Sequence, residues 1–165
     1  MILDAARMKN ALWEAKEINE MHVSLYRGRS EEVLAGFAPY LFRYSAGSSF
    51  HNWFWLNGWG KSWGVLAGTR ASDADVYKHF RRFLLVNNEE GEQLYFRFYD
   101  PRVLRVFLRT CDDQQLHDFF GPIEYFLVED KNSDYGTYYW LESGKLKTET
   151  SARFEIENSL RQNNL

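Results

Sequence analysis

One cysteine, Cys111, is all the thiol chemistry that this 165-residue sequence holds. A lone thiol closes no internal disulfide and supplies no thiolate-rich zinc site, which fits a reducing compartment. Long hydrophobic runs are missing too: Met1-Ile2-Leu3 meets an acid at Asp4, and no apolar stretch reaches the length of a secretory leader or a membrane span. The expectation is a cytoplasmic chain with no membrane partner. Positive charge is also short, with 20 Lys and Arg against 23 Asp and Glu, a formal net charge of −3 and both signs interspersed. That excludes the basic field on which phosphate-dominated binding depends, so no nucleic-acid partner is expected. Low-complexity segments, internal repeats and a linker long enough to divide two domains are absent, and the polar residues 161–165 read as a fraying end.

What the sequence has in quantity is aromatic residues: 13 Phe, 10 Tyr and 6 Trp, or 18% of the chain, within an apolar share of 45%. A single domain of this length buries roughly two thirds of its unfolded surface and needs neither disulfide nor metal to fold. The rings exceed what an ordinary aliphatic core requires.

Residues 1–4 predict a short strand, after which Asp4 caps a helix with Met8, Ala11, Leu12, Ala15 and Ile18 at helical spacing. Strands are predicted over 21–26 and 40–44, and a helix over 48–60 that Gly58 and Gly60 end. Another strand runs from Trp63 to Ala67, and Ser72 followed by Asp75 opens a helix with Val76, Phe80 and Phe83 on one face. Strands over 84–87 and 93–99 flank a turn at 88–91; alternation of Leu94, Phe96 and Phe98 against Tyr95, Arg97 and Tyr99 places Arg97 in a central strand covered on both faces. Asp100-Pro101 starts a helix, a second runs from about Asp112 to Phe120, and Gly121-Pro122 stops it. Strands near 123–129 and 137–142, a turn at Ser143-Gly144 and a helix with Ala152, Ile156 and Leu160 complete an α/β (α+β) single domain, a mixed β-sheet flanked by helices over residues 1–165.

The chemistry-bearing patterns are few. His22, His51, His79 and His117 have no metal-ligand spacing, so no metal is expected. No GxSxG elbow occurs, and Asp112 and Asp113 beside Cys111 raise a thiol rather than activate it. Gly60-Lys61-Ser62 resembles the end of a phosphate loop, but Trp55 stands where its first glycine would be. With no convincing carboxylate pair either, no catalytic residue and no cofactor is expected. Two clusters remain. Arg97, Asp100 and Arg102 lie among large apolar residues and must be paired if buried, which predicts a structural polar network. The run from Phe50 to Trp59 has too many rings for one helical face, so at least one of Trp53, Trp55 and Trp59 is expected at the surface as a partner-binding anchor.

Ala38-Pro39-Tyr40-Leu41, Trp63-Gly64, His79-Phe80-Arg81-Arg82-Phe83, Phe96 to Leu104 and Phe119-Phe120-Gly121-Pro122-Ile123 follow one another in an order that resembles the effector adaptor chaperones of bacterial type VI secretion. Phe-Arg-Phe-Tyr-Asp-Pro-Arg and Phe-Phe-Gly-Pro are the specific runs. The resemblance covers about residues 1–128 and leaves a C-terminal hairpin and helix over 129–165; the first strand departs from it, with Ala5 where Gly usually follows the Asp. It implies a cytoplasmic protein that binds a secreted effector and promotes its loading onto the spike protein, without cofactor or catalysis. The rival readings are a structural or regulatory protein-binding domain unrelated to secretion, and an enzyme with an unrecognised site.

Overall fold

Asp4, Ser48, Ser72, Asp100 and Asp112 each accept a backbone N–H with their side chain and set where five helices begin. In the computed structural model, which describes residues 1–87 and 90–162, the chain runs β1 (Ile2–Asp4), α1 (Ala5–Met8), α2 (Ala11–Ile18), β2 (His22–Ser24), α3 (Arg29–Val33), β3 (Pro39–Phe42), α4 (Ser49–Asn57) and β4 (Gly64–Gly68). It continues through α5 (Asp73–Arg81), β5 (Leu85–Asn87), β6 (Gln93–Tyr95), α6 (Pro101–Thr110), α7 (Asp113–Phe120), β7 (Tyr125–Glu129), β8 (Tyr135–Glu142), β9 (Lys145–Ala152) and α8 (Arg153–Gln162). The expected helix after Asp4 is broken in two, because Lys9 takes a positive φ of 53°. The turn expected at 88–91 falls partly on residues 88 and 89, and the tail on 163–165, outside the described residues.

Seven strands form one sheet in the order β2-β3-β1-β4-β7-β8-β9, and β5 and β6 form a separate ribbon. The α/β class is the one expected. Every ladder among the described residues is antiparallel, so the sheet is not mixed in strand direction. Side chains alternate across the strands, and helices pack on both faces of the sheet, though most of β9 stays exposed. On one face Phe50 of α4 stacks on Phe42 of β3 at 5.0 Å, Lys16 of α2 lies over the Tyr40 ring, and Ile156 of α8 closes over Gly136 of β8. On the other, Phe80 of α5 and Phe119 and Phe120 of α7 pack on Phe126 of β7, and Phe107 of α6 packs on Phe119.

Arg97 is not in a central strand. β6 ends at Tyr95 and, among the described residues, pairs only with β5, and the chain turns at once, with Asp100 N–H donating to the Arg97 carbonyl. Phe96 and Phe98 share a side because both rings enter the cluster under α6 and α7, not because a strand continues through them. The same packing explains Gly121, which has φ +48° and a Cβ position 2.5 Å from His79 Cε1. An alanine there would suffer both backbone strain and a ring clash. Gly121→Ala should therefore lower stability by about 2 kcal/mol or more, read as a shift in urea midpoint; an unchanged midpoint would refute this account of the Phe-Phe-Gly-Pro run.

Candidate protein-binding surface

Trp53, Trp55 and Trp59 are all buried, which overturns the expectation that one of them stands at the surface. Trp55 stacks on Trp59 at 4.4 Å, and Trp53 lies 5.7 Å from Trp63. A single helical face could not hold these rings, but α4 is covered on more than one side. Arg153 of α8 donates to the Trp55 carbonyl and Arg161 to Asn52 Oδ1 at 2.8 Å, so the last helix roofs what the sheet does not. Trp59 reaches across to donate its Nε1–H to the Ser133 carbonyl at 2.7 Å. The large apolar residue of α4 left outside is Leu56.

The Arg97 and Asp100 network exists with different partners. Arg97 pairs with Asp4, which is fully buried at the end of β1 and caps α1 through the Ala6 N–H. Asp100 is held instead by Arg102, whose Nε and Nη2 donate to its two oxygens at 2.9 and 2.6 Å. Burial pushes the Asp100 carboxyl up, but the side-chain and backbone hydrogen bonds from Arg102 outweigh it and hold the group below its ordinary value. The paired Asp4 carboxylate raises Arg97.

A third polar group links α4 to α8. Trp55 Nε1–H donates to the Tyr44 hydroxyl at 2.8 Å, Tyr44 hydrogen-bonds His51 Nδ1, and His51 Nε2 faces Glu157 at 3.8 Å. Burial raises the Tyr44 phenol, which therefore keeps its proton, and burial lowers His51. This chain of groups joins two helices and holds no activated nucleophile. Burial likewise pushes the Cys111 thiol up, and Asp112 adds to the shift.

His79 is also lowered by burial; its Nε2–H donates to the Phe119 carbonyl at 2.8 Å, while Nδ1 accepts from Arg82 at 3.0 Å. The unfolded chain protonates these two histidines near the ordinary value of about 6.5, before the folded one does. Stability that His51 and His79 contribute is thus present above pH ~6.5 and falls as pH drops below it, by at most about 1.4 kcal/mol per pH unit for each group. Glu129, raised by burial, acts in the opposite direction from about pH 4.5 upward. Urea unfolding of the wild type and His79→Gln across pH 7.5 to 5.5 (about one unit either side of 6.5) should give a shallower acid loss for the variant. Identical slopes would contradict the neutral, buried state of His79.

Among the exposed apolar side chains, four that were not expected at the surface lie together on the ribbon. Leu85 pairs across from Tyr95 and Val86 from Leu94, one pair on each side, and all four are exposed. Tyr95 is backed by Tyr26 at 5.5 Å. Isolated two-stranded ribbons bury little of their own surface, and here each face presents one exposed apolar pair that a partner could cover. Their alternation was legible, but it fitted a covered central strand equally well.

A family model described as "Domain of unknown function (DUF4123)" matches residues 1–118, from β1 into α7 and including the ribbon. That family is associated with the effectors of type VI secretion. No curated protein and no solved structure matches the chain.

Proposed function

We propose, from the premise that this chain belongs to the family described as a domain of unknown function (DUF4123), that it is an adaptor chaperone. It binds a type VI secretion effector in the cytoplasm and promotes loading of that effector onto the spike protein. The observation that carries this reading is the β5–β6 ribbon, whose Leu85, Val86, Leu94 and Tyr95 are exposed within the family-matched region. Apolar anchors of this kind gain binding energy when a partner desolvates them, and a polar surround supplies selectivity. The action is stoichiometric, with no substrate turned over. No helix among the described residues is long and apolar enough to cross a membrane.

The test is co-purification of this chain with tagged products of neighbouring toxin and spike genes, using the wild type and the double variant Val86→Ser, Leu94→Ser. Capture of the toxin should weaken by roughly tenfold or more, as loss of two interface anchors implies, while the thermal midpoint stays within about 2 °C. Undiminished capture by a folded double variant would remove the ribbon from the function.

A further inference from the structure

Helix α6 is amphipathic in an unusual way. Leu104 and Leu108 are buried beneath it, whereas Arg102, Arg105 and Arg109 recur along its outer side at spacings of three and four. Charged outer faces are commonly just solvated. This one instead forms a wall of a groove of about 820 Å³, completed by Gly60, Ser62 and the 129–133 turn with Lys131.

The acids of the groove are already engaged. Glu129, at its base, is buried and accepts from Gly60 N–H at 2.6 Å, Ser62 N–H at 2.7 Å and Ser62 Oγ at 3.1 Å, so its carboxylate points into the protein. Asp130 accepts from Lys131 N–H at 2.8 Å and Thr137 Oγ1 at 3.1 Å. The cations are less fully used. Arg102 is clamped by Asp100 and Arg105 donates one N–H to the Glu129 carbonyl, while Arg109 and Lys131 make no ion pair among the described residues. Among these cations Val106 is exposed, an apolar side chain on the groove wall. In a chain whose net charge is −3 this is a local reversal of sign.

We infer that the α6 groove binds an acidic segment of a partner polypeptide, with its carboxylates on Arg105, Arg109 and Lys131 and an apolar side chain on Val106. Guanidinium groups suit this occupant because each can engage a carboxylate with two parallel N–H donors. A polypeptide fits better than nucleic acid, because a phosphate backbone would gain nothing from Val106. The inference takes a polypeptide occupant from the protein-binding reading. It adds a second surface, on the helix that follows the ribbon.

The experiment is fluorescence anisotropy on the full chain with a labelled peptide of alternating Glu and Leu. The controls are the same peptide with Lys for Glu and a single-stranded oligonucleotide of equal charge. The acidic peptide should bind, weaken as NaCl rises from about 50 to about 300 mM, and lose at least roughly tenfold in affinity with Arg109→Glu. Among the described residues Arg109 makes no ion pair, although it is the cation in the last turn of α6, and a matching thermal midpoint for the variant establishes that the loss is local. Equal affinity in wild type and Arg109→Glu, equal binding of the Lys peptide, or tighter binding of the oligonucleotide would each overturn the inference. Peptide binding without toxin capture would count against the adaptor reading alone. Ribbon-dependent toxin capture without peptide binding would count against the groove alone.

Discussion

Arg97→Met should cost the protein about 3 kcal/mol, the lower end of what breaking a buried ion pair costs. The substitution keeps the aliphatic stem and removes the cation, leaving Asp4 fully buried with the Ala6 N–H as its remaining hydrogen-bond donor. The lower end applies because the Arg97 side chain is itself 42% exposed, so water already screens part of the pair. The site also lies where β1, α1 and the segment entering α6 meet, so the loss should be cooperative rather than confined to one loop. Urea unfolding measures it directly. A variant within about 0.5 kcal/mol of wild type, the range of an ordinary surface substitution, would mean that Asp4 finds another partner, and that the Phe-Arg-Phe-Tyr-Asp-Pro-Arg run is not a brace.

Trp55→Ala should be the most damaging of the tryptophan substitutions, at about 3–5 kcal/mol. Trp55 is only 2% exposed, stacks on Trp59 and supplies the N–H that the Tyr44 hydroxyl accepts. Truncation opens a cavity and removes one of the two hydrogen bonds of the Tyr44 hydroxyl, which keeps His51 as its partner. Against a domain stability of about 5–15 kcal/mol, that removes about a fifth or more of what holds the fold. Trp13, 74% exposed on α2, is the internal control: its alanine variant should stay within about 0.5 kcal/mol of wild type. If Trp55→Ala proved as stable as Trp13→Ala, the close packing of α8 against α4 would be wrong.

These two residues also mark the boundary of what the sequence could disclose. Local signals were legible: Ser72 with Asp75, Asp100-Pro101 and Gly121-Pro122 stop or start helices where the structure has them, because capping is settled within a few residues. Long-range partnerships were not. Arg97 pairs with Asp4, 93 residues earlier, and nothing near Arg97 in the chain distinguishes that partner from Asp100. Trp55 is buried because Arg153 and Ile156 bring α8 over the sheet and α4, a placement that no periodicity within 48–60 can express. The alternation through Phe96 and Phe98 was real, but it recorded two rings entering one cluster rather than a strand between two layers. For the candidate surfaces, the spacing of Arg102, Arg105 and Arg109 was visible in the sequence. The concavity that gives it a possible ligand comes from the 58–62 and 129–133 loops.

Under the proposed adaptor function, this chain acts stoichiometrically to load an effector onto its spike. The most direct measurement is to co-express the adjacent toxin and spike genes with graded amounts of this chain, and to quantify soluble toxin and the toxin recovered on the spike. Both quantities should rise in proportion to the chain until it equals the toxin, as mass action requires of a partner that stabilises what it binds. Toxin that is equally soluble and equally loaded when this chain is absent would contradict the account.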